Sequence, residues 1–366
     1  MNKIAHSVSL KFDPHLDQIE KDKKLRDGLS AVVLVADSLW VAGDETVRLE
    51  RLSREGEGVY GGHVAFPLSD YLTLPAGEEG EADIEGLDVA DGYLWLVGSH
   101  SLKRISPKPA KPVAENRKRL SLVETDGNRF LLGRIPLTSK GAVEVLEKEA
   151  EVLGARRVAG QVAGNTKGND LTAALARDKH FKNFLGIPGK DNGLDIEGLA
   201  VVGGRVFVGL RGPVLRGWTT LLEMAVREGG KDASTLKLKK IGLKGRLYQK
   251  HFLQLGGLGV RDLCLDGEDL LILAGPTMDL DGPVTVFRWP GGANPKEESL
   301  VFRESLQKVI DVPFGNGRDH AEGMTLLPPN KQGRRSVLIL YDAPSEERKK
   351  SKKGEAALRA DVFELP

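Results

Sequence analysis

The chain of 366 residues lacks several features that would mark a class of function. It has one cysteine, Cys264, so it can form neither an internal disulfide nor a thiolate cage for zinc. Its 53 basic and 52 acidic residues nearly cancel. A chain with so little net charge offers no electrostatic footprint for nucleic acid or for an anionic membrane surface, and we expect neither as a partner.

Long apolar runs are also absent. No segment approaches the roughly 20 apolar residues that a membrane helix needs. Residues 1–6 (MNKIAH) contain no apolar core of the kind found in export signals. We therefore expect a soluble protein of the cytoplasm. Glycine, in contrast, is abundant at 44 residues, which is typical of many tight turns between short strands.

One phrase recurs along the chain. Its five copies are LSAVVLV (29–35), DIEGLDV (83–89), DIEGLAV (195–201), VRDLCL (260–265) and HAEGMTL (320–326). Each copy is followed, after a turn, by a second apolar run such as YLWLVG (93–98). Two short β-type runs around a turn predict a β-hairpin, and its repetition predicts a repeat architecture.

The spacing of the copies predicts the fold. The positions that align with the glutamate of DIEGL are Ser30, Glu85, Glu197, Arg261 and Glu322, which lie 55, 112, 64 and 61 residues apart. A period near 60 with four strands per unit indicates an all-β protein, a β-propeller that forms a single domain over residues 1–366. The 112-residue step holds either two blades or one blade and an insertion. Five blades are favoured, and six are possible.

Residues 138–190 are interpreted as a helical insertion in this propeller. Apolar residues recur at helical spacing at Val143, Leu146, Ala150 and Leu153. Asp170 is placed to cap a helix over residues 171–177, with a stop near Leu185. At the other end of the chain, the alternating residues 8–12 (VSLKF) predict an N-terminal strand that completes the last blade.

Propeller geometry predicts a charged site at one mouth of the central channel. The start of the first strand and the end of the second strand of each hairpin lie on the same face. The residues at these positions are Asp44, Glu45, Asp83, Glu85, Ser99, His100, Asp195, Glu197, Arg211, Arg261, Thr277, His320, Glu322, Tyr341 and Asp342.

These residue types suggest three roles, each with a structural alternative. Glu85, Glu197 and Glu322 are candidate ligands of Ca²⁺ or Mg²⁺, or carboxylates that fasten neighbouring blades. Three arginines are candidates for binding an anionic substrate, or for salt bridges of the rim. They are Arg211, Arg261 and Arg318. His100 and His320 are candidate general acid and base, or hydrogen-bonding histidines.

The repeated DIEGL and the segments KDNGL (190–194), GLRGPVLRGW (209–218) and AGPTMD (274–279) resemble a bacterial family of domains of unknown function, over most of the chain. That family is similar to propellers with esterase-like or phytase-like labels. It is more distantly similar to calcium-dependent phosphotriesterase-type propellers, in which inner-strand carboxylates hold a metal. The resemblance implies a metal at Glu85, Glu197 and Glu322, although Ser30 and Arg261 interrupt the ring.

Three hypotheses of function follow. The first is a metal-assisted hydrolase of an anionic ester such as a phosphoester. The second is a non-catalytic propeller that binds a small ligand or a protein partner at the same rim. The third is glycoside hydrolysis by a carboxylate pair, which would need aromatic sugar platforms in a chain with only 5% aromatic residues.

Overall fold

The computed structural model describes residues 4–230, 232–351 and 354–366, and over these residues the chain is an all-β protein, as predicted. The five repeated phrases form five antiparallel hairpins, numbered 1 to 5 here. Their strands are Leu29–Val35 with Ser38–Gly43, Ile84–Ala90 with Tyr93–Gly98, Asp195–Val202 with Arg205–Gly212, Gly259–Asp266 with Asp269–Gly275, and His320–Leu327 with Ser336–Asp342.

The first strand of each hairpin, called its inner strand, contacts the inner strands of two neighbours. Inner strand 1 packs against 2, 2 against 3, 3 against 4, 4 against 5, and 5 against 1. The five inner strands therefore close into a ring, and the sheets radiate from it in a propeller-like arrangement.

Further strands extend each hairpin outward. They are Arg48–Gly56 and Val59–Pro67 on hairpin 1, Leu132–Lys140 with Val143–Leu146 and Gly160–Val162 on hairpin 2, Thr219–Glu228 with Thr235–Leu238 and Gln249–Leu253 on hairpin 3, Val284–Trp289 and Gln307–Val312 on hairpin 4, and Ala356–Glu364 and His6–Phe12 on hairpin 5. His6–Phe12 pairs antiparallel with Ala356–Glu364. This confirms the prediction that residues 8–12 complete the last sheet.

The remaining elements lie in the connections. The short strands are Gln18–Glu20, Lys23–Lys24, Lys103–Arg104, Val123–Glu124, Glu149–Val152, Ala155–Val158, Gly164–Asn165, Gly168–Asn169 and Ser299–Val301. The α-helices of the described residues are Pro14–Asp17, Val113–Ser121 and Asp170–Leu175, and the 3-10 turns are Leu25–Asp27, Leu68–Asp70, Gly127–Phe130, Gly189–Asp191, Leu243–Gly245 and Arg303–Ser305. In this part of the chain no helix is long and apolar enough to cross a membrane.

The helical interpretation of residues 138–190 is wrong for its first half. Val143–Leu146 and Glu149–Val152 are strands, each paired in an antiparallel hairpin. Gly141 and Gly154 have φ values of 68° and 71° and make the tight turns of these hairpins. Because the turns divide the segment every few residues, the apolar spacing that resembles a helix is produced by two short hairpins instead.

The second half contains a short helix, Asp170–Leu175. Its N-cap is Asn169 rather than Asp170, because the Asn169 side chain accepts hydrogen bonds from the N–H groups of Leu171 and Thr172, at 3.0 and 3.1 Å. The helix ends well before Leu185, and turns fill most of the space between.

The apolar core lies between neighbouring sheets. Trp40, Trp95 and Phe207 occupy equivalent positions of the repeat, and all three are buried. Trp40 packs with residues of hairpin 2 such as Ile84 in one core cluster. Burial of such large side chains between sheets supplies the main favourable term for holding the ring together.

The glycine of the repeated Glu-Gly pair is needed for packing inside the ring. A Cβ atom at Gly86 would lie 2.8 Å from the backbone nitrogen of Leu199, on the next inner strand. A Cβ atom at Gly198 would lie 2.7 Å from Cα of Asp262, again on the next strand. Only glycine allows this approach, so the recurrence of this residue reflects the ring itself.

We expect Gly198→Ala to lower the free energy of unfolding by about 3 kcal/mol, because the added methyl group meets backbone atoms that cannot move aside. Gly203→Ala is the matched control. Gly203 also has a positive φ, but its Cβ position is open, so about 1 kcal/mol is expected. Urea unfolding of both variants measures the difference. Equal losses would show that the close approach of the strands carries no cost of its own.

Candidate functional site

All five inner strands carry a β-bulge at the same repeat position. The pairing of each hairpin skips one residue there, which leaves an extra residue on the inner strand without a partner. The affected positions are Ser30, Glu85, Glu197 with Gly198, Arg261 and Glu322. A bulge interrupts the ladder and re-aims a side chain, which is why bulges are frequent beside active sites. The position that aligns with the glutamate of DIEGL therefore lies in the bulge of every copy.

Side chains from all five repeats meet at one cavity of about 280 Å³, called the central cavity here. Its ionisable lining consists of Asp44, Asp83, Glu85, Lys103, Arg104, Arg129, Lys190, Asp191, Asp195, Glu197, Arg211, Asp279, Glu322 and Asp342. Nine of these residues are acidic and five are basic. The lining thus has an excess of carboxyl groups, and its potential is negative unless protons or cations compensate.

Two arginines hold one side of the cavity together. Arg211 Nη1 lies 2.9 Å from Glu197 Oε1, and its Nε donates to the carbonyl of Thr277 at 3.0 Å. Arg261 Nη1 lies 2.6 Å from Glu322 Oε1 and 3.3 Å from Glu197 Oε2. Arg261 Nη2 donates to the carbonyl of Pro276 at 3.0 Å. These guanidinium groups are already occupied by protein partners.

This arrangement does not fit the predicted metal site. Glu197 and Glu322 give their oxygens to arginines, and the positive charge of Arg261 between them repels a cation. Within the described ranges, no group of three or more His, Cys, Asp or Glu residues is arranged to hold a metal ion. The charge that a cation was expected to supply to Glu197 and Glu322 comes from the two arginines.

The opposite side of the cavity contains carboxyl groups without partners. The side chains of Asp44 and Glu85 make no hydrogen bond or ion pair with any residue that the structure describes. Burial, followed by the nearby charge of Asp83, raises the pKa of both groups well above the ordinary range. Glu85 is only partly exposed, and it borders the cavity.

Two further carboxyl groups have perturbed protonation. Burial and the neighbouring Glu197 raise the pKa of Asp195 to about 7. Burial and the neighbouring Glu322 raise the pKa of Asp342 to about 7. Asp83 forms an ion pair with Arg129, whose Nη1 lies 2.9 Å from Oδ2 of Asp83. The cavity therefore combines carboxyl groups whose pKa is raised with a carboxyl group that is paired with a guanidinium.

Lys190 is a cation of the cavity without an ion pair among the described residues. Burial and the charge of Arg211 lower its pKa, but the carboxylates of Glu322, Asp279 and Asp342 outweigh them, so that the pKa lies above its usual value. The residue lies in the 3-10 turn Gly189–Asp191, just before inner strand 3.

The structure places His100 outside the central cavity lining. Its Nδ1–H donates to the carbonyl of Gly98 at 2.7 Å, and its Nε2 accepts from the amide of Asn169 at 2.8 Å. The residue is buried, and burial lowers its pKa to about 4. Because both ring nitrogens are occupied, His100 positions the N-cap of the helix Asp170–Leu175 and cannot serve as the predicted proton carrier.

His320 lies closer to the predicted role. It lines a small cavity beside the central one, together with Lys190, Arg261, Glu322 and Asp342. Its Nε2 is 3.3 Å from Oδ1 of Asp281. Arg318 is exposed and belongs to neither lining.

The structure thus brings together the three predicted glutamates with Arg211, and Arg261 and His320 beside them. Sequence reasoning missed Lys190, Asp279 and Arg129, which also border the cavity. All three lie in connections rather than in the repeated phrase, so the repeat could not locate them. Lys190 and Asp279 do fall in two segments that carry the family resemblance.

The ring of inner strands and the charged cavity within it define a propeller-like β protein with a central site. The chain belongs to the family described as protein of unknown function (DUF3616), whose model matches residues 28–361. No functionally curated protein matches the sequence.

Several solved structures resemble the fold. Glutaminyl cyclase of Myxococcus xanthus is 12% identical, with a TM-score of 0.40, over 100% of this chain and 97% of that one. A GH43 β-1,3-galactosidase with galactodeoxynojirimycin is 8% identical, with a TM-score of 0.41, over 94% and 92%. The aldose sugar dehydrogenase of Streptomyces coelicolor in its PQQ-bound form is 11% identical, with a TM-score of 0.32, over 98% and 99%. Scores this low carry no argument about activity.

Proposed function

We propose that the protein is a five-bladed propeller hydrolase whose active site is the central cavity, and that carboxyl groups move the proton. The observation that carries this proposal is the convergence of the bulged residues Glu85, Glu197 and Glu322 on one cavity. A volume of about 280 Å³ suits a small substrate.

The chemistry needs one group that gives a proton and one that takes it. Glu85, protonated and without a partner, supports the first role, in which a carboxyl O–H bond breaks and the proton goes to the leaving group. Asp83, which forms an ion pair with Arg129, supports the second role, in which it takes a proton from the attacking water. The water oxygen bonds to the acyl carbon as the leaving group departs.

The charge of the cavity argues for a neutral or positively charged substrate. With Asp44 and Glu85 left uncharged, seven acidic residues remain against five basic ones. Both central arginines are occupied by glutamates, so neither is free to bind an anion. No aromatic side chain is among the described lining residues, so the cavity offers no stacking platform for a sugar. The anionic ester that the sequence predicted therefore fits this cavity less well.

A second candidate keeps the anionic ester. Asp44 and Glu85 offer hard oxygen donors without protein partners, which Ca²⁺ or Mg²⁺ prefers. A cation there would reduce the negative potential, and Lys190 would contact the anionic group. Binding of a small ligand or a protein partner without catalysis is the alternative if no hydrolysis occurs.

Three para-nitrophenyl esters with the same leaving group, those of lysine, acetate and phosphate, distinguish these candidates. In protein treated with a chelator, we expect the rate of para-nitrophenolate release, divided by the spontaneous rate of the same ester without protein, to be at least ten-fold higher for the lysine ester than for the phosphate ester. Hydrolysis of the phosphate ester only after addition of Ca²⁺ or Mg²⁺ would support the second candidate instead. Catalysis of none of the three would favour a binding protein.

A further inference from the structure

The structure holds a second, larger cavity of about 640 Å³ away from the central one. It lies between the helix Asp170–Leu175 with its following turn and the strand Gln249–Leu253 with its preceding turn. The lining consists of Asp170, Ala173, Ala174, Arg177, Asp178, Lys179, His180, Gly245, Arg246, Leu247, Tyr248 and Lys250. None of these residues borders the central cavity, so the proposed hydrolysis does not use them.

A buried polar network forms the floor of this second cavity. Asp178 accepts a hydrogen bond from Lys250 Nζ at 2.8 Å and another from the hydroxyl of Tyr248 at 2.9 Å. All three residues are buried. The carboxylate of Asp178 is thus neutralised by Lys250, and its pKa lies below the usual range, because these hydrogen bonds outweigh the effect of burial.

The same network determines the tautomer of His180. Lys250 Nζ lies 2.9 Å from His180 Nδ1. An ammonium group can only donate, so Nδ1 accepts and the ring proton lies on Nε2. His180, about half exposed, therefore has a free Nε2–H donor.

Of the remaining charged residues of this cavity, Asp170 is acidic and the other three are basic, namely Arg177, Lys179 and Arg246. Arg177 and Lys179 are exposed, and neither makes an ion pair within residues 4–230, 232–351 and 354–366. Arg246 is shared between Glu298, at 2.6 Å, and Asp178, at 3.9 Å. Four basic side chains thus face two acidic ones, the reverse of the balance in the central cavity. The side chains of Ala173, Ala174 and Leu247 add an apolar wall.

We propose that this second cavity binds a phosphomonoester with a small apolar organic group. Two unpaired cations and the Nε2–H donor of His180 match a dianion that has several acceptor oxygens. The apolar wall and a volume of about 640 Å³ leave room for the organic part. This site goes beyond the proposed hydrolysis. It would bind an anion in the second cavity, whereas the central cavity is proposed to take a neutral or positively charged substrate.

Isothermal titration with phenyl phosphate near physiological salt tests this proposal. We expect saturable binding to the wild-type protein, and a dissociation constant raised about ten-fold or more in Arg177→Gln and in Lys179→Gln. Both residues are exposed, so the variants are expected to have the same melting temperature as the wild type. Lys182→Gln is the matched control, since Lys182 is exposed nearby but does not line the cavity.

Four results would overturn the proposal. One is absence of binding at millimolar phenyl phosphate. Another is equal weakening in Lys182→Gln, which would indicate unspecific attraction. The third is binding that survives in the Arg177 and Lys179 variants but is lost in Lys190→Gln, which would place the anion in the central cavity. Benzoate serves as a comparison, and binding as tight as that of phenyl phosphate would contradict selection of a phosphomonoester.

Discussion

Glu197→Gln is expected to lower the free energy of unfolding by about 3–5 kcal/mol, the cost typical of breaking a buried ion pair from one side. Glu197 is buried and lies between two guanidinium groups, those of Arg211 at 2.9 Å and Arg261 at 3.3 Å. An amide cannot neutralise them, and it offers only one acceptor oxygen. Both arginines are themselves buried, so water cannot replace the lost carboxylate.

Chemical unfolding at pH 7 measures this loss, and Glu45→Gln is the matched control. Glu45 pairs with Lys23 at 3.0 Å, but both side chains are about one third exposed or more. Such a pair contributes only about 0–1 kcal/mol. A Glu197 variant as stable as the Glu45 variant would show that Glu197 is not held by the arginines. It would then reopen the assignment of Glu197 as a metal ligand.

Glu85→Gln is expected to lower the hydrolysis rate at least about 100-fold, the usual effect of removing a general acid or base. The same variant is expected to keep its stability, because the Glu85 carboxyl has no partner to lose. The folded-state pKa of Glu85 lies above its unfolded value, so the wild type loses stability as pH rises between the two. Glutamine does not titrate. The stability of the variant relative to the wild type therefore rises with pH between the unfolded-state and folded-state pKa of Glu85.

The Glu85 variant is compared with Glu268→Gln, which removes an exposed carboxylate outside the central cavity. Rates on the para-nitrophenyl ester of lysine and urea unfolding at pH 5 and pH 8 are measured on both. A Glu85 variant with the wild-type rate would remove Glu85 from the mechanism. A variant less stable than the wild type at pH 8 would show that the carboxylate is ionised and held by a partner.

Much of the fold follows from the repeat. The five copies of the phrase predict the hairpins, because alternating apolar residues around a turn leave few other arrangements. The prediction of a strand at residues 8–12 is also confirmed. An outer strand that closes a ring can be recognised from its alternating apolar and polar residues alone. The helix predicted around Val143–Leu146 is wrong for a physical reason. Two four-residue strands separated by turns give the same apolar spacing as a helix.

The central site was predictable in part. The position of Glu85, Glu197 and Glu322 in the repeat is enough to bring them to one cavity, because equivalent residues of a ring face the same centre. Their partners are not predictable in this way. The charge of Glu322 could be neutralised by Arg261 or by a metal ion. Which of the two occurs depends on distances of a few ångströms across the ring. His100, two residues beyond the hairpin, turns away with a φ of 56° and is buried.

Glu85 can act as the general acid only if its carboxyl group is protonated, and infrared difference spectroscopy between the wild type and Glu85→Gln tests this most directly. In metal-free protein at pH 7, we predict that the wild type shows the carbonyl band of a protonated carboxylic acid, which the variant lacks. A wild-type spectrum that shows only the ionised carboxylate of Glu85 would contradict the proposed protonation. Such a result would mean that a cation or an unrecognised partner compensates that charge, and the acid role proposed for Glu85 would fall.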